Sequence, residues 1–307
     1  MKKIIRIGTR ESELAIWQAS QVKDLLSQNG QPAELVYIKS EGDLDLNTPL
    51  YEMGVQGIFT RSLDMALLNN RIDIAVHSMK DVPTQLPTGI QQAAVLKRGA
   101  FHDLLVFKNG TGQAEFDNKI AHIATSSLRR KAQWLNRYRH HQVHNLRGNV
   151  NTRLRKLSEE NWDAAIFAQA GLERIGLRPA TSEVIDWMLP APAQGAIVVV
   201  CREDDEDTSS ACGLLNDETT AHCCGIERDF LRGLLGGCAT PISALAVVKG
   251  NDLYFRGNIL SLDGIQKIDV EKIMPLPDSF DCGKSAAEEI LNNGAKKIIE
   301  EIRHAGN

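Results

Sequence analysis

The sequence predicts an α/β protein. Two similar units built on mainly parallel sheets come first, and a small α+β domain with a three-stranded antiparallel sheet follows. Three observations lead there. Short apolar runs alternate with segments of helical spacing from Lys3 to Ile175, the pattern of strands crossed over by helices. The alternation starts afresh at Ile120, so the design is used twice. After Glu218 the character changes to strand-like runs split by Gly250-Asn251-Asp252 and Asp263-Gly264, which are hairpin signals.

In order, Lys3 to Gly8 reads as a short buried strand. Glu11 to Gln28 reads as a helix, with Ala15, Ala19, Val22 and Leu26 on one face and Gly30 at its end. Glu34 to Ser40 is a strand, Gly57 to Asn69 a helix and Ile72 to His77 a strand. The second round runs strand Ile120–Ala124, helix Ser127–Tyr138, strand Val143–Leu146, helix Thr152–Leu157, strand Ala164–Ala168 and helix Gly171–Ile175. Ala196 to Cys201 is apolar throughout, as in a strand buried on both faces, and can return to the first unit. The acidic stretch Glu203 to Ser210 reads as part of a connection. Glu218 to Leu235 reads as a helix. Ile242–Val248, Leu253–Ser261 and Ile265–Ile273 read as strands, and a helical tail carries Ala287, Leu291, Ala295, Ile298 and Ile302 on one face.

Composition excludes several classes. Of 307 residues, 43% are apolar and 24% charged, with a net charge of −4. That suits a globular protein of two or three domains and not one built to coat nucleic acid or an anionic membrane. The opening MKKIIRIGTRES lacks a secretory apolar core, and Ala196–Cys201 is far shorter than the ~20 residues that span a bilayer. The expectation is a cytoplasmic protein without a membrane partner. Six cysteines with no Cys-x-x-Cys pair do not suggest a disulfide framework. Adjacent Cys223 and Cys224, beside His222, fit small buried residues better than metal ligands, and no metal is expected.

The residues that carry chemistry cluster at predicted strand ends. Open α/β sheets bind ligands there, and helix N-termini favour anions. RIGTRES places Arg10 with Thr9 and Ser12. IATSSLRR places Arg129 and Arg130 with Thr125, Ser126 and Ser127. NLRGNVNTR places Arg147 and Arg153 with Asn149 and Thr152. Arg129 and Arg130 fall in a first helical turn, where positive charge opposes the dipole; a bound anion would compensate. From Arg129 to Lys156 there are nine Lys or Arg and no Asp or Glu. Taken singly, each is better explained as part of a solvated basic face. Together they point to an anion site, with arginine's planar fork suited to carboxylate or phosphate. Nucleic acid is the rival ligand, but no interleaved aromatics or binding motif accompany the stretch.

Three other segments stand out. His77-Ser78-Met79-Lys80-Asp81-Val82-Pro83 puts a carboxylate just after a buried strand. Such a group can act as acid, base or cation stabiliser, although an aspartate before Val-Pro more often bonds its own turn. Gly236-Gly237-Cys238-Ala239-Thr240-Pro241 presents a cysteine on a glycine-rich loop, open to approach or buried in a turn. Ser40 to Phe59 is a long stretch of little regular pattern, as in a lid.

Over nearly its whole length the chain resembles the porphobilinogen deaminase family. The matching motifs are GTRESELAIWQ, DIAVHSMKDVPT, TSSLRR, LRGNVNTRL, AGLERIGL, PAQGA and LGGCATPI, in the family's order. The resemblance implies two α/β domains like the halves of a periplasmic-binding protein and a third domain carrying the cofactor loop. The limits expected are 1–97 with 196–214, 100–191, and 218–307. It implies a transferase, hydroxymethylbilane synthase, that condenses four porphobilinogen molecules head to tail with loss of ammonia, in haem biosynthesis. The cofactor implied is a dipyrromethane held by a thioether to Cys238. The catalytic aspartate falls on Asp81. Cofactor contacts fall on Lys80, Ser127, Arg129, Arg130, Arg147 and Gln194. Substrate contacts fall on Arg10, Ser12, Gln18, Phe59, Arg147, Arg153 and Arg174. Porphobilinogen would be the small-molecule partner of a monomer that binds no nucleic acid. A growing chain of acetate- and propionate-bearing pyrroles is a dense polyanion, which an arginine-lined crevice suits.

The chain departs from the family at Gly54-Val55-Gln56-Gly57, where many relatives have a lysine in a glycine-rich lid segment. A passive binding module of the same two-domain architecture would need neither Asp81 nor Cys238, so these residues separate an enzyme from a binder.

Overall fold

A computed structural model of the chain describes residues 2–39, 60–108, 116, 119–234 and 240–305. The described residues cluster into two compact units. One is the chain up to Gly99 together with Gly195–His222; the other is Ala100–Gln194 together with Cys223–Asn307.

The first unit holds β1 (Ile5–Thr9), α1 (Glu13–Gln28), β2 (Ala33–Tyr37), α2 (Arg61–Leu68), β3 (Ile74–Ser78) and β4 (Ile90–Val95). To these the later chain adds β10 (Ile197–Arg202) and α6 (Glu206–Gly213). The sheet order is β2-β1-β3-β10-β4. β1 runs parallel to β2 and β3, and β10 is antiparallel to both β3 and β4. The wholly apolar run read from the sequence is therefore the strand that returns. It is buried on both faces, from Ile197 to Cys201. α1 starts where Ser12 accepts a hydrogen bond from the Ala15 backbone. It lays Ala19, Val22 and Leu26 against Ile5, Ile7, Ile74 and Val76.

At the amino edge of this sheet, Asp73 is fully buried. Its carboxylate accepts from the Arg6 backbone N–H and Nε, both at 2.9 Å, from Arg6 Nη2 and Lys3 Nζ at 3.0 Å, and from Arg202 Nη2 at 3.3 Å. Burial would raise this carboxyl, but the Arg6 and Lys3 bonds prevail and hold it well below the usual range.

The second unit repeats the plan. It holds β5 (Asp103–Phe107), β6 (His122–Ala124), α3 (Leu128–Arg137), β7 (Gln142–His144), α4 (Val150–Glu159), β8 (Ala164–Ala168), α5 (Gln169–Arg174) and β9 (Ser182–Ile185). The order β7-β6-β8-β5-β9 reproduces that of the first sheet, again with three parallel strands and then an antiparallel one. Asp163 precedes β8 as Asp73 precedes β3, and it accepts the His122 backbone N–H at 2.7 Å as Asp73 accepts that of Arg6.

This unit also contains α7 (Glu218–Gly233) from Cys223 onward, β11 (Ile242–Lys249), β12 (Asp252–Leu260), β13 (Lys267–Pro275), α8 (Cys282–Ile290) and α9 (Lys296–Ala305). The three strands form an antiparallel sheet in the order β11-β12-β13. β11 and β12 join through Gly250 and Asn251, with Gly250 at φ +62°. Glycine first in a two-residue loop gives the turn whose twist suits a hairpin. Phe230 of α7 meets Phe255 of β12 edge-on, with ring centroids 5.3 Å apart.

Several contacts among the described residues join this part to the second α/β unit. Gln133 Nε2 donates to Ser243 Oγ at 3.0 Å. The buried Glu227 carboxylate accepts from Ala193 N at 2.6 Å and from Ala246 N at 2.8 Å. Gly264 sits on α3, its carbonyl accepting from Asn136 Nδ2 at 2.7 Å.

Strands β4, β5 and β9 were not read from the sequence, and β5 runs antiparallel to both its neighbours, β8 and β9. The acidic connection at 203–210 contains a helix, α6, capped by Asp205 accepting from Thr208 N. Its acidic first turn suits the dipole. No helix among the described residues is long and apolar enough to cross a membrane.

Gly264 has φ +74°, and a Cβ there would lie 2.4 Å from the Ala132 carbonyl oxygen. Gly264→Ala should therefore lower the unfolding free energy by about 2–4 kcal/mol, combining left-handed strain and overpacking. Chemical denaturation checks this, and an unchanged midpoint would show that the turn moves off α3 freely.

Candidate active site

Both α/β sheets present sequence-predicted residues at the carboxyl edge of their parallel strands. In the first sheet β1 ends at Thr9, and Arg10 and the helix cap Ser12 follow. Its neighbour β3 ends at Ser78 and leads into a single tight turn, Met79–Asp81. Gln18, buried on α1, donates from Nε2 to Ser78 Oγ at 2.9 Å and so ties the helix to that strand end. The Met79 backbone N–H donates to Ala196 O at 3.0 Å, and Val82 N closes the turn on Met79 O at 3.2 Å. Lys80 and Asp81 are left half-buried. Among the described residues Asp81 forms no salt bridge, unlike Asp73 on the opposite edge.

His77 lies on the same strand end. It is 7% exposed, and its Nε2 is buried without a hydrogen-bond partner. Burial, and then the Arg10 charge, push it down to about 4. It is therefore neutral near pH 7.

In the second sheet β6 ends at Ala124. Ser126 Oγ accepts from Leu146 N at 3.0 Å and lies 2.6 Å from Asn145 Oδ1, which binds this strand end to that of β7. Ser127 caps α3, accepting from Arg130 N at 3.4 Å. Arg147, buried, follows β7. Asn149 Oδ1 caps α4 by accepting from Thr152 N at 2.9 Å, and Arg153 Nε donates back to Gly148 O at 2.7 Å. Arg174 closes α5 after β8, and burial pushes its guanidinium down to about 10.

The sequence did not single out Asp103. It opens β5 opposite Ala168, the last residue of β8, so it lies on the same edge as the arginines. It is fully buried, and three side chains converge on it. Arg129 Nη2 donates to Oδ2 at 2.8 Å; Arg130 donates to Oδ1 from Nε at 3.1 Å and Nη2 at 2.7 Å; Gln194 Nε2 donates to Oδ1 at 2.9 Å. The arginines reach further, Arg129 Nη1 to Leu189 O at 2.7 Å and Arg130 Nη1 to Ile166 O at 3.0 Å. Burial alone would raise the Asp103 carboxyl, but the two guanidinium groups override it and hold it well below the carboxylate range. Burial also lowers Arg129 more than Asp103 raises it. The compensating anion for two arginines in a first helical turn is thus partly the chain's own. The signal available in the sequence was the lone acid opening His102-Asp103-Leu104-Leu105-Val106-Phe107, since a charge at the head of a buried strand needs a partner.

The structure thus gathers Arg10, Ser12, Gln18, Lys80 and Asp81 on one sheet edge. It gathers Ser127, Arg129, Arg130, Arg147, Arg153, Arg174 and Gln194 on or against the other. Phe59, Gln56 and Cys238 lie outside the described residues. No group of three or more His, Cys, Asp or Glu able to hold a metal occurs among the described residues. Cys223 and Cys224 are buried.

Residues 5–210 match the family model for the porphobilinogen deaminase dipyromethane cofactor binding domain, and residues 221–292 match that for the porphobilinogen deaminase C-terminal domain. The chain belongs to the porphobilinogen deaminase family. The family's two domain models span the strand-end residues of both sheets and the antiparallel sheet. The porphobilinogen deaminase of Chlorobium phaeobacteroides is 39% identical over 311 residues, covering 99% of each chain. That of Geobacter metallireducens is 40% identical over 304 residues, covering 98% of this chain and 95% of its own. Among solved structures the methionine binding protein MetQ superposes with a TM-score of 0.44 at 14% identity, over 73% of this chain and 94% of its own.

The state of His77 sets a pH dependence. Its proton affinity is depressed on folding, from 6.5 to about 4. The unfolded chain therefore binds the proton first, and stability falls as pH drops through that window. The loss should reach at most about 3 kcal/mol. Denaturant unfolding from pH 7 to pH 4 should be flatter in His77→Gln than in the parent. Parallel curves would show that His77 does not set the slope.

Proposed function

We propose that the chain is a porphobilinogen deaminase, a transferase that joins four porphobilinogen molecules into the linear tetrapyrrole hydroxymethylbilane. Each join forms a carbon–carbon bond, expels ammonia from the incoming pyrrole and releases a proton from the acceptor carbon; after the fourth, water releases the tetrapyrrole and supplies its hydroxyl oxygen. The observation that carries the reading is the pairing of residue types at the two strand edges: a half-buried carboxylate, Asp81, on one, and a cluster of buried arginines on the other. A reaction between acid-bearing, cation-forming pyrroles calls for both.

The donor chemistry of the second edge fits the family's dipyrromethane. Among the described residues Arg129 and Arg130 share one carboxylate, so this pair keeps one net positive charge. Arg129 Nε is buried without a hydrogen-bond partner. A further carboxylate is what such a cluster lacks. Lys80, Ser127, Arg129, Arg130, Arg147 and Gln194 would hold the group, with Cys238 as its covalent anchor. When bound, the group supplies the pyrrole carbon at which chain growth starts.

The chain's own residues then have distinct tasks. Arg10, Ser12, Arg147, Arg153 and Arg174 take the acetate and propionate of the incoming pyrrole, with Gln18 and Phe59 beside them. Asp81 accepts hydrogen bonds from pyrrole N–H groups and stabilises the positive charge that develops as ammonia leaves. Its turn is held by the Met79 and Val82 backbone bonds, and among the described residues the carboxylate forms no salt bridge. We further place the protein in the cytoplasm, as a monomer in tetrapyrrole biosynthesis with no nucleic-acid partner.

The test combines mass and rate. Intact mass of the purified protein should exceed the sequence mass by two porphobilinogens less two ammonias, and Cys238→Ser should remove that increment. Asp81→Asn should keep the fold and the increment, yet lose on the order of a hundredfold or more in kcat. Near-parent turnover by Asp81→Asn would defeat the assigned role.

A further inference from the structure

Asp103 has no place in the function just proposed, yet side chains from two other segments converge on it. It is fully buried, and four of its contacts come from Arg129, Arg130 and Gln194. Those donors come from separate elements: α3 supplies the two arginines, and the segment after β9 supplies Gln194. β5 fixes Asp103 itself through its pairing with β8.

The two carboxylate oxygens are used differently. Oδ1 takes Arg130 through two nitrogens and Gln194 through one, while Oδ2 takes Arg129 alone. Arg130 therefore has Nε, Nη1 and Nη2 all committed within the fold, the remaining one to Ile166 O. Arg129 has Nη1 and Nη2 committed, and its buried Nε–H has no acceptor. Two arginine side chains on consecutive residues would otherwise repel and splay. A shared carboxylate sets their spacing and angle, because the guanidinium fork is planar and directional.

We propose that Asp103 is a positioning residue for the acid-binding edge of this enzyme. Its carboxylate aligns Arg129, Arg130 and Gln194 as one rigid donor set with a single net positive charge, directed at a carboxylate of the pyrrole ligand. The inference rests on the proposed function, in which those three residues hold the dipyrromethane. It adds a residue that touches no ligand and acts through the ones that do. It also assigns a property to the set. With Asp103 the edge offers one net charge in a fixed geometry. Without it the edge would offer two mutually repelling charges in no fixed geometry.

Asp103→Asn tests this, since it keeps the side chain's shape and one acceptor while removing the charge. Three quantities are read on the full-length protein as purified: the thermal midpoint, the fraction carrying the covalent mass increment, and KM and kcat for porphobilinogen. The expected result is a several-fold loss of cofactor occupancy. In the fraction that remains loaded, kcat should fall about tenfold with KM near the parent's, because the misaligned donors hold the resident group rather than the incoming pyrrole. A variant with a lowered thermal midpoint but parent occupancy and kcat would overturn the proposal, leaving Asp103 a purely structural anchor. Should Asp103→Asn not fold, Asp103→Glu takes its place. It keeps the charge but shifts the carboxylate by one methylene, and should lower occupancy and kcat several-fold with KM near the parent's; parent occupancy and kcat there also overturn the proposal. A parent protein with no mass increment and no turnover of porphobilinogen would instead defeat the functional reading itself, whatever Asp103 does.

Discussion

A carboxylate at the head of β5 carries the chemistry of the second sheet edge. Two guanidinium groups with no counter-ion could not be buried side by side; desolvation and mutual repulsion together would exceed what packing returns. Asp103 changes that balance by giving each arginine a charge-assisted bond in a water-poor setting. α3 can then begin with Leu128-Arg129-Arg130 despite its dipole. Once the arginines are fixed, Ile166 and Leu189 gain donors for carbonyls that face inward. The acid thus settles the fold and the electrostatic character of that edge together.

The two α/β units show how one plan serves two purposes. Their strand orders match, and each has an aspartate just before its third parallel strand that binds a backbone N–H of the first. At the opposite, carboxyl edge they diverge. The first presents a carboxylate on a tight turn, and the second presents arginines. The shared half supports the sheet and the divergent half carries the chemistry, as expected where ligands meet strand ends.

Much of this was legible in the sequence, for physical reasons that vary by element. β10 could be read because a strand buried on both faces has no polar residue to interrupt it. α1 could be read from a long periodic face at Ala15, Ala19, Val22 and Leu26. β9 could not, because Ser-Glu-Val-Ile is a short edge strand with Val184 exposed. β5 was missed because an apolar run of four, Leu104 to Phe107, has no periodicity to separate strand from helix. The arginines at 129 and 130 were visible as a broken rule. Their partner was not, because twenty-six residues separate Asp103 from Arg129 and only the antiparallel return of β5 brings them together. Asp263-Gly264 was read as a plain hairpin signal, whereas its glycine is required by the approach of α3.

The return of β10 into the first sheet has a consequence for synthesis. The strand lies between β3 and β4, so until Arg202 has left the ribosome β4 has no neighbour and one side of β3 offers unpaired backbone groups. The whole of the second sheet is translated in that interval. The nascent chain therefore carries an incomplete first sheet with a sticky edge while the second can already close, and the amino-terminal half is the later of the two to mature.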